Sequence, residues 1–116
     1  YDLLTNVYAS QALHELSLVF QNSAAQNAAK WGAYADQIAQ GIHKNLVAEV
    51  DGTTIYAEMK SIDKELAATG QRVPDDQFYI GFSWVNMAPA GAGWYALNQE
   101  IMNNTYEKYI QYGITT

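Results

Sequence analysis

Apolar residues in the first half of the chain recur every three or four positions, which is the spacing of one helix face. In a predicted helix over 23–46 the apolar stripe consists of Ala28, Trp31, Ala35, Ile38, Ile42 and Leu46. In a predicted helix over 5–21 it consists of Ala9, Leu13, Leu16 and Phe20, widened by Ala12 and Val19. Because the polar stretch between them is short, we expect an antiparallel helical hairpin, with Trp31 and Tyr34 filling the wider part of its seam.

Residues with capping and turn chemistry predict where these elements begin and end. Either Thr5 or Asn6 can cap the first helix and Ser23 can cap the second, since their side chains accept hydrogen bonds from free backbone amides. The second helix gives way to Asp51-Gly52, and this dipeptide suits the positive φ angles of a tight turn. Residues compatible with β-structure flank it on both sides. The pattern therefore predicts one small β-hairpin centred on Asp51-Gly52.

The segment after the hairpin begins with a further residue that can cap a helix. Ser61 starts a predicted short helix over 61–68, and the polar run 71–77 is predicted to be a surface loop. Pro74 supports the loop, because a proline disfavours helical backbone at the residue before it.

The last third of the chain is rich in aromatic and small residues. Pro89 favours a helix over 89–97, although irregular backbone also fits this stretch. A final helix is predicted over 98–112, with Asn98 as its cap. Its apolar stripe comprises Met102, Tyr106 and Tyr109. Together these elements predict a mainly α fold built from antiparallel αα-hairpins with one small β-hairpin.

Composition excludes several classes of partner. Apolar residues make up 49% of the 116 positions and charged residues 16%, which is typical of a folded domain. The net charge is −6 and the six basic residues are scattered, so neither nucleic acid nor an anionic membrane is an expected partner. Without cysteine and without an H-x-x-x-H spacing, no metal site is expected, and no cofactor motif is present. The chain does not begin with Met and is expected to be either an excised piece of a longer protein or a processed product, so its cellular compartment is unknown.

Candidate catalytic chemistry rests on a carboxylate. Glu58 lies in a β-compatible run where alternation places it on the same face as Tyr56, so it is a candidate general acid or base. A solvated strand residue is the alternative. His14 and His43 each stand beside a core position of a helix and are expected near the solvent edge.

A second candidate set consists of Trp84, Asn86 and Trp94. Flat aromatic rings stack on sugar rings, and an amide supplies both a donor and an acceptor for hydroxyl groups. These residues are therefore candidates for substrate binding. The alternative is that the tryptophans belong to the core.

Four patterns occur in order along the chain: W-x-x-Y-A-x-x-I-x-x-x-I over 31–42 followed by Leu46, the Asp51-Gly52 turn, I-Y-A-E over 55–58, and F-S-W-V-N-M-A-P over 82–89. In this succession the chain resembles the six-hairpin glycosidases, whose catalytic domain is an (α/α)6 barrel. The resemblance implies a glycoside hydrolase that acts on carbohydrate, with one carboxylic acid protonating the glycosidic oxygen and a second carboxylate activating water.

The chain is too short for the whole of such a barrel, since only about two helical hairpins are predicted. Residues 1–116 are thus expected to be either a fragment of the catalytic domain or a single domain. The competing hypothesis is a non-catalytic helical module that binds carbohydrate or another protein. Helix faces without neighbours would favour self-association through an aromatic surface over 78–95.

Overall fold

The computed structural model describes residues 2–60, 78–79 and 82–113, and the predicted helix over 61–68 and loop over 71–77 lie outside them. The fold is mainly helical with a small antiparallel β-hairpin, as the pattern predicts. The long helices are α1 (Leu3–Val19), α2 (Ala25–Asn45) and α4 (Gln99–Gly113), and a short α3 covers Ala88–Gly91. The strands are β1 (Val47–Val50), β2 (Thr53–Tyr56), β3 (Met59–Lys60) and β4 (Phe78–Tyr79).

Helices α1 and α2 pack antiparallel along most of their length. Near their connection, the ring of Phe20 meets that of Trp31 edge-on, with centroids 5.8 Å apart. Further along, Ser10 Oγ donates to the carbonyl of Ala35 at 2.9 Å. The end of α1 thus lies against the first part of α2, and the middle of α1 lies against the middle of α2. The predicted antiparallel hairpin is confirmed.

The buried face of α1 is not the predicted one. The helix begins at Leu3, because the side chain of Asp2, and not that of Thr5 or Asn6, caps it by accepting from Thr5 N at 2.7 Å. Its fully buried residues are Leu3, Val7 and Ser10, whereas Leu16, Val19 and Phe20 of the predicted stripe are exposed. Residues of the predicted stripe do follow a helical spacing, but the core lies against the beginning of α1 and the stripe runs to its other end.

The predicted stripe of α2 is largely correct. Ala28, Ala35 and Ile42 are buried, and Leu46 is buried just after the helix end. Trp31 is only half-buried and Tyr34 is 47% exposed, so Tyr34 does not fill the seam. The cap of the helix is Ala24, which makes no side-chain hydrogen bond, so the predicted cap by Ser23 is wrong.

The β-hairpin forms where the turn chemistry places it. Asp51 has a φ of 52° and Gly52 a φ of 79°, the left-handed values that this dipeptide favours. Strands β1 and β2 pair antiparallel, with Val47 opposite Tyr56. A second antiparallel pairing joins β3 to β4. At the turn, Asp51 Oδ2 accepts from Lys108 Nζ at 3.2 Å and from the Tyr112 hydroxyl, which ties the hairpin to α4.

Between the hairpin and α4, the backbone does not form the predicted helix over 89–97. A 3-10 turn covers Trp84–Met87, and α3 stops at Gly91. The reason is that Gly93 takes a φ of 61° and Trp94 N donates to the carbonyl of Pro89, which ends the helical pattern.

Helix α4 begins as predicted, since Asn98 Oδ1 accepts from Ile101 N at 3.0 Å. It buries Met102 and Thr105 rather than Tyr106, which is 55% exposed. At its other end an ideal Cβ on Gly113 would overlap the carbonyl oxygen of Phe82, so the close approach of these two segments requires glycine. The common core is formed by Leu3, Val7, Ala39, Ile42, Leu46, Tyr56, Trp94 and Met102.

Candidate functional site

Tyr56, the last residue of β2, joins the elements around the candidate site. It is fully buried, and its backbone N donates to Thr105 Oγ1 of α4 at 2.9 Å. Its carbonyl accepts from Asn86 Nδ2 at 2.9 Å. Its hydroxyl lies 2.7 Å from His43 Nε2 and accepts from Asn98 N at 3.0 Å. One side chain and its backbone thus connect α2, the 3-10 turn and α4.

Asn86 positions the turn that carries Trp84. Its Oδ1 accepts from Ser83 N at 2.9 Å, and Ser83 Oγ accepts from Val85 N at 3.3 Å, so the turn is capped from both sides. Asn86 is only 1% exposed and is anchored to Tyr56, whereas Trp84 is 67% exposed. The turn therefore holds a large flat ring in solvent on a fixed base. The amide of Asn86, buried beneath the ring, contributes to this support.

The structure places Trp94, the other predicted binding tryptophan, in the core. It is 3% exposed, and its Nε1 donates to Ser10 Oγ at 3.0 Å. Its ring stacks on His43 with centroids 5.1 Å apart and meets Tyr56 edge-on. A ring so enclosed has no accessible face for a sugar. Of the three predicted binding residues, only Trp84 is exposed.

Glu58, the predicted catalytic carboxylate, follows β2 and does not lie in it. The predicted alternation is wrong, since Ile55, Tyr56 and Ala57 are all buried and the backbone bends at Glu58. Glu58 is half-exposed, and its carbonyl accepts from Leu3 N at 2.8 Å. Two residues span at most about 7 Å, so Glu58 lies close to the Tyr56 carbonyl that holds the Trp84 turn. Glu58 is thus linked to the Trp84 turn only through the backbone of Tyr56.

Both histidines are partly exposed, as expected at the solvent edge, and each also packs on an aromatic ring. The ring of His14 is nearly parallel to that of Tyr95, with centroids 3.8 Å apart. His43 is half-buried between Trp94 and Tyr56, and burial lowers its pKa below the ordinary value of 6.5. Burial likewise raises the pKa of the Tyr56 hydroxyl. The sequence does show two adjacent aromatic residues at 94 and 95. Nothing in their spacing indicated that they would contact the two histidines.

An open groove of about 540 Å³ runs beside His43. It is lined by Asp36, Ala39, Gln40, His43, Lys44, Tyr95 and Ala96. Within it the Tyr95 hydroxyl donates to Asp36 Oδ1 at 2.7 Å. Burial, and secondarily this carboxylate, raise the pKa of Tyr95, which holds its hydroxyl in the neutral donor form.

No family model, curated protein or solved structure matches this chain. Over residues 2–60, 78–79 and 82–113, no group of three His, Asp or Glu side chains is placed to hold a metal ion. None of the helices in that part of the chain is long and apolar enough to cross a membrane. What the described residues offer at the Trp84 turn is an exposed indole ring on a buried support.

Proposed function

We propose that this chain is part of the catalytic domain of a glycoside hydrolase and that Trp84 is a stacking platform for a sugar ring. The observation that carries the proposal is the contrast between an indole 67% exposed and the support beneath it, an asparagine 1% exposed. A solvent-exposed tryptophan on a preorganised turn loses little conformational freedom when a flat ligand binds. The resemblance to six-hairpin glycosidases supports carbohydrate as that ligand.

Glu58 is the proposed acid or base of the reaction. Glu58 comes two residues after Tyr56, whose carbonyl holds the Trp84 turn, and this link supports a role for its carboxylate next to a sugar stacked on the indole. Glycoside hydrolysis ordinarily requires two carboxyl groups, on either side of the glycosidic bond. We assign one of them to this chain, and the second would come from another part of a toroidal (α/α)6 domain. No cofactor is needed for this chemistry.

Calorimetric titration with linear hexasaccharides of glucose, mannose and xylose tests the platform. At least one of them should bind, and Trp84→Ala should weaken binding roughly tenfold, the loss expected for about 1.4 kcal/mol of stacking. Tyr34→Ala is the matched control, because it removes another exposed aromatic from α2 and should leave binding unchanged. Equal weakening by both variants, or no binding of any hexasaccharide at millimolar concentration, would contradict the platform.

A second candidate function, a protein-interaction module, is favoured by the far end of the helical hairpin. There α1 exposes a group of apolar side chains, namely Leu16, Leu18, Val19 and Phe20. Such a group is typical of a contact surface. If it mediates self-association, the mass in solution should rise with protein concentration, and Val19→Glu should keep the chain monomeric. A monomer at all concentrations would exclude self-association through this group.

A further inference from the structure

The hydrogen bonds around Tyr56 fix the protonation state of His43. The ring nitrogen Nε2 of His43 lies 2.7 Å from the Tyr56 hydroxyl. That hydroxyl accepts from Asn98 N at 3.0 Å. Because this hydroxyl already accepts from Asn98 N, its own proton is directed to Nε2, which leaves the proton of the neutral imidazole on Nδ1. Every polar group of the junction is satisfied only when His43 is neutral.

Adding a proton to His43 would break this arrangement. Nε2 would become a donor, so the Tyr56 O–H would have to turn away from it. Tyr56 is fully buried, and its hydroxyl contacts only His43 and Asn98 in the described part of the chain. The displaced O–H would therefore find no acceptor among the described residues and no access to solvent. A buried donor without a partner is unfavourable, and partial removal of the positive charge from water adds to that cost.

The charged and titratable groups near His43 do not compensate for this loss. On α2, Lys44 lines the same groove and repels a second positive charge. Asp36 also lines it, but its Oδ1 already accepts from the neutral Tyr95 hydroxyl. The face of Trp94, stacked at 5.1 Å, offers a modest attraction to a cation. From α1, His14 lies against the ring of Tyr95.

We propose that His43, Tyr56 and the backbone amide of Asn98 form an acid-sensitive junction between α2, β2 and the start of α4, whose hydrogen bonds are all satisfied only while His43 is neutral. The effect extends to the Trp84 turn, because the carbonyl of the same Tyr56 holds Asn86. Mild acid thus weakens the hydrogen bonds of the Tyr56 hydroxyl and, through the same residue, the one that its carbonyl accepts from Asn86. This proposal concerns conformation and stands apart from the proposed carbohydrate binding.

The sign of the pH dependence follows from which state binds the proton. The unfolded chain takes up a proton at His43 near pH 6.5, whereas the folded chain resists it. The stability that the neutral junction contributes is therefore fully present at pH 7.5 and above, and falls as pH drops below about 6.5. If His43 stays neutral down to pH 5, this one group changes the unfolding equilibrium constant by at most about thirtyfold.

Urea unfolding of the full 116-residue chain at pH 7.5 and pH 5 tests the junction, with the only two histidines exchanged in turn. His43→Gln keeps an acceptor for Tyr56 but cannot titrate, so its unfolding constant should change at least threefold less than that of the wild type between these pH values. His14→Gln, the matched control, should respond as the wild type does. An unreduced pH response in His43→Gln would overturn the proposal.

NMR titration of the His43 ring provides a test that needs no variant. In the folded wild type its midpoint should lie below 6.5, and Tyr56→Phe should raise it, because the donor that favours neutral Nε2 is lost. A wild-type midpoint at or above 6.5, or no rise in Tyr56→Phe, would overturn the junction even if His43→Gln failed to fold.

Discussion

Replacing each of two tryptophans by alanine should have opposite consequences for stability and for ligand binding. Trp94 is 3% exposed and Trp84 is 67% exposed. Deleting a buried tryptophan ring typically costs about 3–5 kcal/mol, because both the transfer energy and a cavity are involved. Trp94 also donates to Ser10 Oγ and stacks on His43, so Trp94→Ala should lie in the upper part of that range. Trp84→Ala should cost less than about 1 kcal/mol, as surface substitutions generally do.

Urea denaturation followed by circular dichroism measures both costs, and the m-value shows whether unfolding remains two-state. Trp94→Phe refines the test, since it retains an aromatic ring but loses the N–H donor and should cost about 1–2 kcal/mol. A loss below about 1 kcal/mol for Trp94→Ala, or equal losses at the two positions, would refute the assignment of Trp94 to the core and Trp84 to the surface.

Three further predictions concern two glycines in different helices, the carboxylate of Asp51 in the hairpin turn, and catalysis. Gly41→Ala should raise the free energy of unfolding by about 0.5–1 kcal/mol, because an added Cβ would meet no neighbouring atom. Gly113→Ala should lower it, because the added Cβ would clash with the carbonyl oxygen of Phe82. Chemical denaturation measures both changes. The hydrogen bond from Tyr112 is the main cause that lowers the pKa of the Asp51 carboxyl. The stability that the ionised Asp51 contributes is therefore present above about pH 4 and is lost as pH falls through the pKa of Asp51 in the folded state. In a carboxyl NMR titration, Tyr112→Phe should move that midpoint upward. The isolated chain should not turn over aryl glycosides, since one carboxylate cannot replace two, and turnover abolished by Glu58→Gln would show instead that its active site is complete.

Local sequence was sufficient to predict the elements whose signals are local. The stripe of α2, the Asp51-Gly52 turn and the Asn98 cap each depend on residues within a few positions of one another, and the structure confirms them. The face of α1 required knowledge of where the core lies. Leu16 and Val19 fit a helical stripe, but they extend past the elements that bury Leu3.

The candidate site was less predictable, because its contacts join distant parts of the chain. Trp94 donates to Ser10 across 84 positions, and Asn86 reaches Tyr56 across 30. No periodicity within 78–97 distinguishes the buried indole of Trp94 from the exposed one of Trp84. Residue type alone selected both as stacking candidates, and only tertiary packing separates them.

The most direct test of the sugar platform is NMR observation of the indole N–H groups during titration with the hexasaccharide that binds best. The chain has three tryptophans, so each resonance can be assigned by a single substitution. The Trp84 signal should shift saturably, with the same dissociation constant that calorimetry gives, while the enclosed Trp94 signal stays in place. Saturable binding that leaves the Trp84 signal unmoved would contradict the platform.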